Sequence, residues 1–163
     1  MPTKLQNHTP QHAMNDSQPT ATPSQSRPTS RERRQREMAR EMTLQALYQH
    51  LLSGADEKSL FLQYHSDKNM PKADGEYFRR ILGGTLAEKT FLQETFTPYL
   101  DRALAHLDPV EHAILLLATF ELQHCQELPY RIIINEAVEL AKKFGATDGH
   151  RYINGIVDKL AHQ

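Results

Sequence analysis

The chain has 163 residues, 19 Lys and Arg against 20 Asp and Glu, a net charge of −1 and one cysteine, Cys125. That length suits one main domain, and the near-neutral balance excludes a protein that holds nucleic acid by bulk charge, so any such binding needs a local patch. A lone cysteine excludes an intrachain disulfide and fits a reducing cytoplasm, and no stretch reaches the ~18 consecutive apolar residues of a membrane span.

Met1 to Ser30 contains five prolines among Thr, Ser and Gln, with almost no large apolar side chains. Such a segment cannot bury enough surface to offset its ordering entropy, so residues 1–30 are expected to be a disordered tail. It lacks the apolar run of a secretory signal and the arginine density of a transit peptide. Residues 31–163 form the expected folded domain.

From there the pattern is helical throughout. Thr29 and Glu32 have capping-box spacing, which starts a first helix through "SRERRQREMAREMTLQALY", Ser30 to Tyr48. Leu44, Leu47, Tyr48 and Leu51 give it an apolar face, and Ser53-Gly54 ends it. A second, shorter helix carries Leu60, Phe61 and Tyr64. A third is expected to begin after Asp74 and run unbroken through "EYFRRILGGTLAEKTFLQETF". Gly83-Gly84 inside it costs roughly 1 kcal/mol per glycine relative to alanine, which a close helix crossing would justify. Pro98 is expected to start a short helix with Tyr99, Leu100 and Leu104.

"DPVE" is the strongest start signal, with Asp108 as N-cap and Pro109 at the first helical position. The "HAILLLATFEL" that follows is apolar nearly all round, the mark of a central buried helix. Pro129 interrupts, "INEAVELAKKFG" forms the next helix with Gly145 as a left-handed terminator, and Thr147 or Asp148 caps the last. The expected fold is an all-α bundle of about seven helices.

Four arginines, Arg31, Arg33, Arg34 and Arg36, stand at a helix end where the peptide dipoles already favour anions. As a solvated face, partly neutralised by Glu32, Glu37 and Glu41, they need no ligand. As an anion site, their guanidinium groups and the free first-turn N–H groups suit phosphate. "DGHRYING", Asp148 to Gly155, places Tyr152 beside His150 and Arg151, the mixture of ring and cation that holds single-stranded nucleic acid. On spacing alone Tyr152 reads first as a packed helical aromatic, the commoner role of such a ring. No metal site is expected: His8 and His12 lie in the Pro-rich tail, and His124 and Cys125 are adjacent on a helix. Phosphate loops, nucleophile elbows and H-E-x-x-H are missing, and the carboxylates read as caps (Asp74, Asp108, Asp148) or solvent-facing groups (Glu94, Glu139), so no catalytic residues and no cofactor are expected.

The segments "AREMTLQALYQ" (Ala39–Gln49), "YFRRILGG" (Tyr77–Gly84), "PYL" (Pro98–Leu100), "VEHAILLLATFEL" (Val110–Leu122) and "INEAVELAKKFGATDGHRYINGIVDKL" (Ile134–Leu160) resemble, in order and spacing, the bacterial transcription antitermination family NusB. The resemblance spans Arg31 to the C-terminus. It implies an all-helical fold of two small halves, no catalysis, and binding of boxA-type single-stranded RNA from ribosomal RNA operons. It also implies pairing with the small-subunit ribosomal protein that doubles as NusE, within a larger complex of NusA, NusG and RNA polymerase.

Carried onto this chain, the family's arginine-rich start falls on Arg31–Arg40, which adds Arg40 to the RNA set. Its usual Phe in the last motif falls on Tyr152, with Asp148 four residues earlier. Its partner-protein contacts fall on Tyr48 and Glu111. The chain departs from the pattern at Glu37 and Met38, where an unbroken arginine run is common, and at Leu116, where an arginine is often found. The resemblance leaves open a homodimer through the partner surface. Two other readings stand beside it: a protein–protein adaptor with incidental RNA binding, and a detached relative of the NusB-like domain of some ribosomal RNA methyltransferases.

Overall fold

Helical structure begins where the capping signal stands: the Thr29 hydroxyl accepts the Glu32 N–H at 3.1 Å. The structure, a computed structural model, describes residues 27–163; the tail expected over residues 1–30 falls outside them except for Arg27–Ser30, and His8 and His12 lie outside as well. Seven α-helices follow among the described residues, with no strand. They are α1 (Ser30–Ser53), α2 (Glu57–His65), α3 (Gly75–Ala87), α4 (Lys89–Phe96), α5 (Pro109–His124), α6 (Tyr130–Phe144) and α7 (Gly149–Ala161).

The polar punctuation works locally. Asp56, Asp74 and Asp108 each accept first-turn N–H groups, and Pro109 opens α5. Gly54 closes α1 at φ 72°, a left-handed position that glycine adopts without a Cβ clash. From Ala113 to Glu121 every residue of α5 is buried. That helix is the axis of the bundle: α1, α3 and α4 lie on one side of it, and α6 and α7 on the other.

Five expectations need correction. The long third helix is two helices, jointed at Glu88 (φ −108°, ψ 15°), whose N–H still donates to Gly84 O at 3.1 Å. The bend lets α3 lie against α1 and α2 while α4 follows α5. No helix starts at Pro98: Thr97–Tyr99 and Leu104–His106 are separate 3₁₀ turns, with Leu100 and Ala103 extended between them. Pro129 separates α5 from α6 as expected, but α6 starts directly after it at Tyr130, four residues before Ile134, with Pro129 as its N-cap.

Gly145 is not left-handed; at φ −93°, ψ −179° the backbone is extended. Glycine is needed there for space, since a Cβ would sit 2.7 Å from Ala141 O. Asp148 occupies the N-cap position of α7 but makes no side-chain capping bond, which frees its carboxylate.

The glycine pair divides its work. Gly83 faces Phe61 of α2 at ordinary contact distance, whereas a Cβ on Gly84 would lie 2.3 Å from two ring atoms of Phe120 on α5. Phe120 is itself buried and packed at 4.8 Å against the His124 ring, so it has little room to retreat. Gly84→Ala gains about 1 kcal/mol of helix propensity and loses more to overpacking, which costs roughly 1–3 kcal/mol. Its urea unfolding midpoint is expected to fall, and Phe120→Leu in the same background to recover part of the loss.

Candidate nucleic-acid interface

Helix α1 runs antiparallel to α5, so its basic start lies beside the C-terminal end of α5 and its second half beside the start of α5. Arg31, Arg33 and Arg34 are exposed, and none forms an ion pair among the described residues. Arg33 donates to the Ser30 hydroxyl at 3.2 Å. Arg36 is half-buried with its guanidinium 4.9 Å from the Tyr77 ring centre. Glu41, one of the residues expected to neutralise the arginines, pairs instead with Lys143 of α6.

Arg40 is not an exposed phosphate contact. It is 2 % exposed, and its Nε donates to both Glu121 oxygens at 3.0 and 3.2 Å. The Tyr77 hydroxyl donates to the same carboxylate, and the Tyr77 ring centre lies 5.5 Å from the Arg40 guanidinium carbon. Burial works against the charge on Arg40, but Glu121, Tyr77 and Glu136 outweigh it and hold its pKa up. Burial and the Glu121 carboxylate likewise raise the Tyr77 phenol, which stays a neutral donor. One helical turn beyond Arg36, the chain has rotated from the rim into the core.

The other RNA candidates lie at the opposite end of the bundle. Tyr152 is half-buried, and its hydroxyl accepts the Asp101 N–H at 3.3 Å. Arg102, which the sequence did not single out, sits 4.5 Å over the ring and is tied to Asp101 at 2.6 and 3.1 Å. That ion pair lowers the Asp101 pKa, first through the Arg102 hydrogen bond. Tyr152 therefore packs and also keeps cations beside it; Asp148 and Arg151 are exposed, and His150 is half-buried. Along α1, Arg31 and Tyr48 are about 25 Å apart at 1.5 Å per residue, so the arginine-rich start and Tyr48 stand at opposite ends of that helix.

The partner candidates meet at this same end. Tyr48, 40 % exposed where the sequence pattern had placed it on the buried face, lines a cleft of about 300 Å³ with Leu44, Val110 and Phe144. Next to Val110, Glu111 is buried, and its Oε2 has no hydrogen-bond partner among the described residues. A Cβ on Gly149 would lie 3.0 Å from Glu111 Oε1, so glycine there leaves room for the carboxylate. Burial, and next the Asp108 carboxylate, raises the Glu111 pKa. Leu116, where the family often has arginine, is fully buried in α5.

Taken as chemistry, the exposed guanidinium groups suit phosphate, the Tyr152–Arg102 pair suits a base, and the apolar cleft at Tyr48 suits a protein. Among the described residues no group of three His, Cys, Asp or Glu is placed to hold a metal, and no helix is long and apolar enough to cross a membrane.

Glu111 costs stability when ionised. With its folded pKa above the usual 4.5, the penalty is absent below that pH and grows as pH rises through the folded value. Glu111→Gln is therefore expected to raise the urea midpoint at neutral pH and to leave it unchanged below pH 4.5. Equal stability of the two proteins at neutral pH would show that the carboxylate finds compensation.

Comparison with known proteins places this geometry in a family. The family model described as "NusB family" matches residues 37–162. The transcription antitermination protein NusB of Thiobacillus denitrificans is 50 % identical over 126 residues, 77 % of this chain and 87 % of that protein. That of Burkholderia lata is 52 % identical over 126 residues, again 77 % and 87 %. Among solved structures, NusB of T. maritima superposes with a TM-score of 0.68 at 28 % identity, covering 84 % of this chain and 94 % of that one. A NusB chain crystallised with NusE and dsRNA superposes with a TM-score of 0.72 over 82 % and 98 % of the two chains; at 21 % identity it speaks to the fold. The chain belongs to the NusB family.

Proposed function

We propose that the chain is a transcription antitermination factor that binds boxA-type single-stranded RNA of ribosomal RNA operons together with the NusE-type ribosomal protein. Residues 31–163 are the working domain and residues 1–30 a tail. It acts in the cytoplasm, within a complex containing NusA, NusG and RNA polymerase, and performs no catalysis. The observation that carries the RNA part is the start of α1, where Arg31, Arg33 and Arg34 are exposed and have no ion-pair partner among the described residues. Against the helix dipole these charges are unfavourable alone, and RNA phosphates relieve them. Asp148, Arg151 and Tyr152 contact the same RNA further along, while Tyr48 and Glu111 face the ribosomal protein.

The curated relatives are named for transcription antitermination, and the more distant neighbour was crystallised with NusE and dsRNA. Those names support the reading and leave the form of RNA to be tested. Fluorescence anisotropy of the full-length chain would compare a boxA-like strand, a scrambled strand and a duplex, with and without the ribosomal protein. Selective binding of the boxA-like strand, tightened by the protein, is expected. Equal binding of all three, unaffected by the protein, would overturn the proposal. If the ribosomal protein bound tightly while no RNA was preferred, the adaptor reading would replace it, as the exposed Tyr48 and Leu52 allow.

The arginines make a separate prediction. Replacing Arg33, Arg34 and Arg36 together by alanine is expected to weaken RNA binding and flatten its salt dependence, by roughly 0.7 log units per log salt for each lost phosphate contact. An unchanged slope would exclude the start of α1 as the phosphate-binding arm.

A further inference from the structure

The buried Arg40 network leaves both terminal nitrogens without a hydrogen bond among the described residues. Nε is spent on Glu121, and Nη1 lies 3.8 Å from Glu136, beyond hydrogen-bond distance. Nη2 is buried with no partner among the described residues, a deficit that native interiors rarely tolerate without a ligand or water. Arg40 lines a cleft of about 220 Å³ between α1 and the start of α6. Leu128 and Ile132 supply apolar wall, Glu136 an acceptor, and Arg33 and Arg36 the cationic side. Glu136 makes no hydrogen bond of its own among the described residues.

This lining selects among ligands. A pocket for phosphate alone would not carry Glu32 and Glu136 beside its arginines, nor apolar walls. The volume is below the ~300–1,000 Å³ of pockets for drug-sized molecules, which suits one planar ring. A donor on Arg40 next to an acceptor on Glu136 is the complement of a carbonyl beside a ring N–H, the edge that uracil and guanine present and that cytosine and adenine lack. We propose that the cleft between α1 and α6 is a nucleobase pocket that accepts an unstacked uracil or guanine, with Arg40 donating to its carbonyl oxygen and Glu136 accepting its ring N–H. Arg33 and Arg36 at the entrance then meet the flanking phosphates. The inference rests on the RNA-binding reading above and adds to it the site and chemistry of base selection.

The test uses pyrimidines, which have the same ring size and differ on this edge. Anisotropy of the full-length chain would be measured with oligouridylate and with oligocytidylate of equal length. Oligouridylate is expected to bind about tenfold more tightly, the size of one well-made base contact. Ile132→Phe places a larger ring at the exposed cleft wall, where Ile132 is 42 % accessible, so folding is not at stake. It is expected to bring oligouridylate down to the affinity of oligocytidylate and leave the latter unchanged.

Glu136→Gln supplies a second readout: an amide can donate to the cytosine ring nitrogen, so the preference is expected to shrink through tighter oligocytidylate binding. A purely structural role for Glu136 would weaken both strands alike. Equal affinity of the two strands for the unaltered protein, or a preference that survives Ile132→Phe, would overturn the pocket. So would chemical-shift changes in residues 1–26 on Ile132→Phe, since the cleft would then hold the chain's own start. None of these results touches boxA selectivity or partner binding, so the pocket and the wider reading fail separately.

Discussion

The Arg40–Glu121 pair, with Tyr77 donating to the same carboxylate, ties α1, α5 and α3 together in the interior. Such a pair adds little net stability, because desolvating two charges offsets most of their attraction, yet losing one partner is expensive. Its effect here is on register. Any rotation of α1 that withdrew Arg40 from Glu121 would leave two buried charges uncompensated. With Arg40 held inward, helical geometry turns Arg33 and Arg36 to the rim and Arg31 and Arg34 to solvent. The basic start of α1 is thus displayed by a charge held almost wholly inside, at 2 % exposure.

That anchoring gives the molecule two ends with different chemistry. At one, unpaired arginines and the cleft against α6 face outward. At the other, Tyr48, Glu111 and the start of α7 crowd together, with Tyr152 held between Asp101 and Arg102. A single strand that touches Arg31–Arg36 and Tyr152 has to run the length of the bundle, about 25 Å along α1. It would then arrive beside the partner's surface. A protein docked on Tyr48 and Glu111 would extend the RNA track instead of competing for it, which gives a physical reason for two proteins to bind one RNA more tightly than either alone.

Much of this was legible in the residues. Thr29, Asp56, Asp74 and Asp108 announce helix starts because capping is a local interaction, settled within one turn. The all-round apolar pattern of α5 announces the central helix for the same reason that it is buried. Gly84 was readable as a close crossing, though only packing shows that Phe120 is what crosses it.

What escaped depends on distant partners. Arg40 looks like its exposed neighbours until Glu121, eighty-one positions away, is placed against it. The joint at Glu88 carries no proline or glycine and follows from a change of packing neighbour. Gly145 is chosen for an oxygen it must clear, not for a left-handed φ, and both demands look alike in a sequence. Of the proposed site residues, Tyr48 and Glu111 follow from the family resemblance, whereas Arg102, Ile132 and Glu136 carry no local pattern to mark them.

In the proposed arrangement RNA binds the start of α1 and reaches Tyr152 at the far end, while the ribosomal protein takes a separate surface there, around Tyr48 and Glu111. The most direct measurement is a chemical-shift map of the full-length, isotope-labelled chain, first with a boxA-like strand and then with the ribosomal protein added. RNA is expected to move the resonances of Arg33, Arg34 and Arg36 while Tyr48 and Leu52 stay in place until the protein is added. RNA that moved Tyr48 and Leu52 and left the arginines untouched would contradict it.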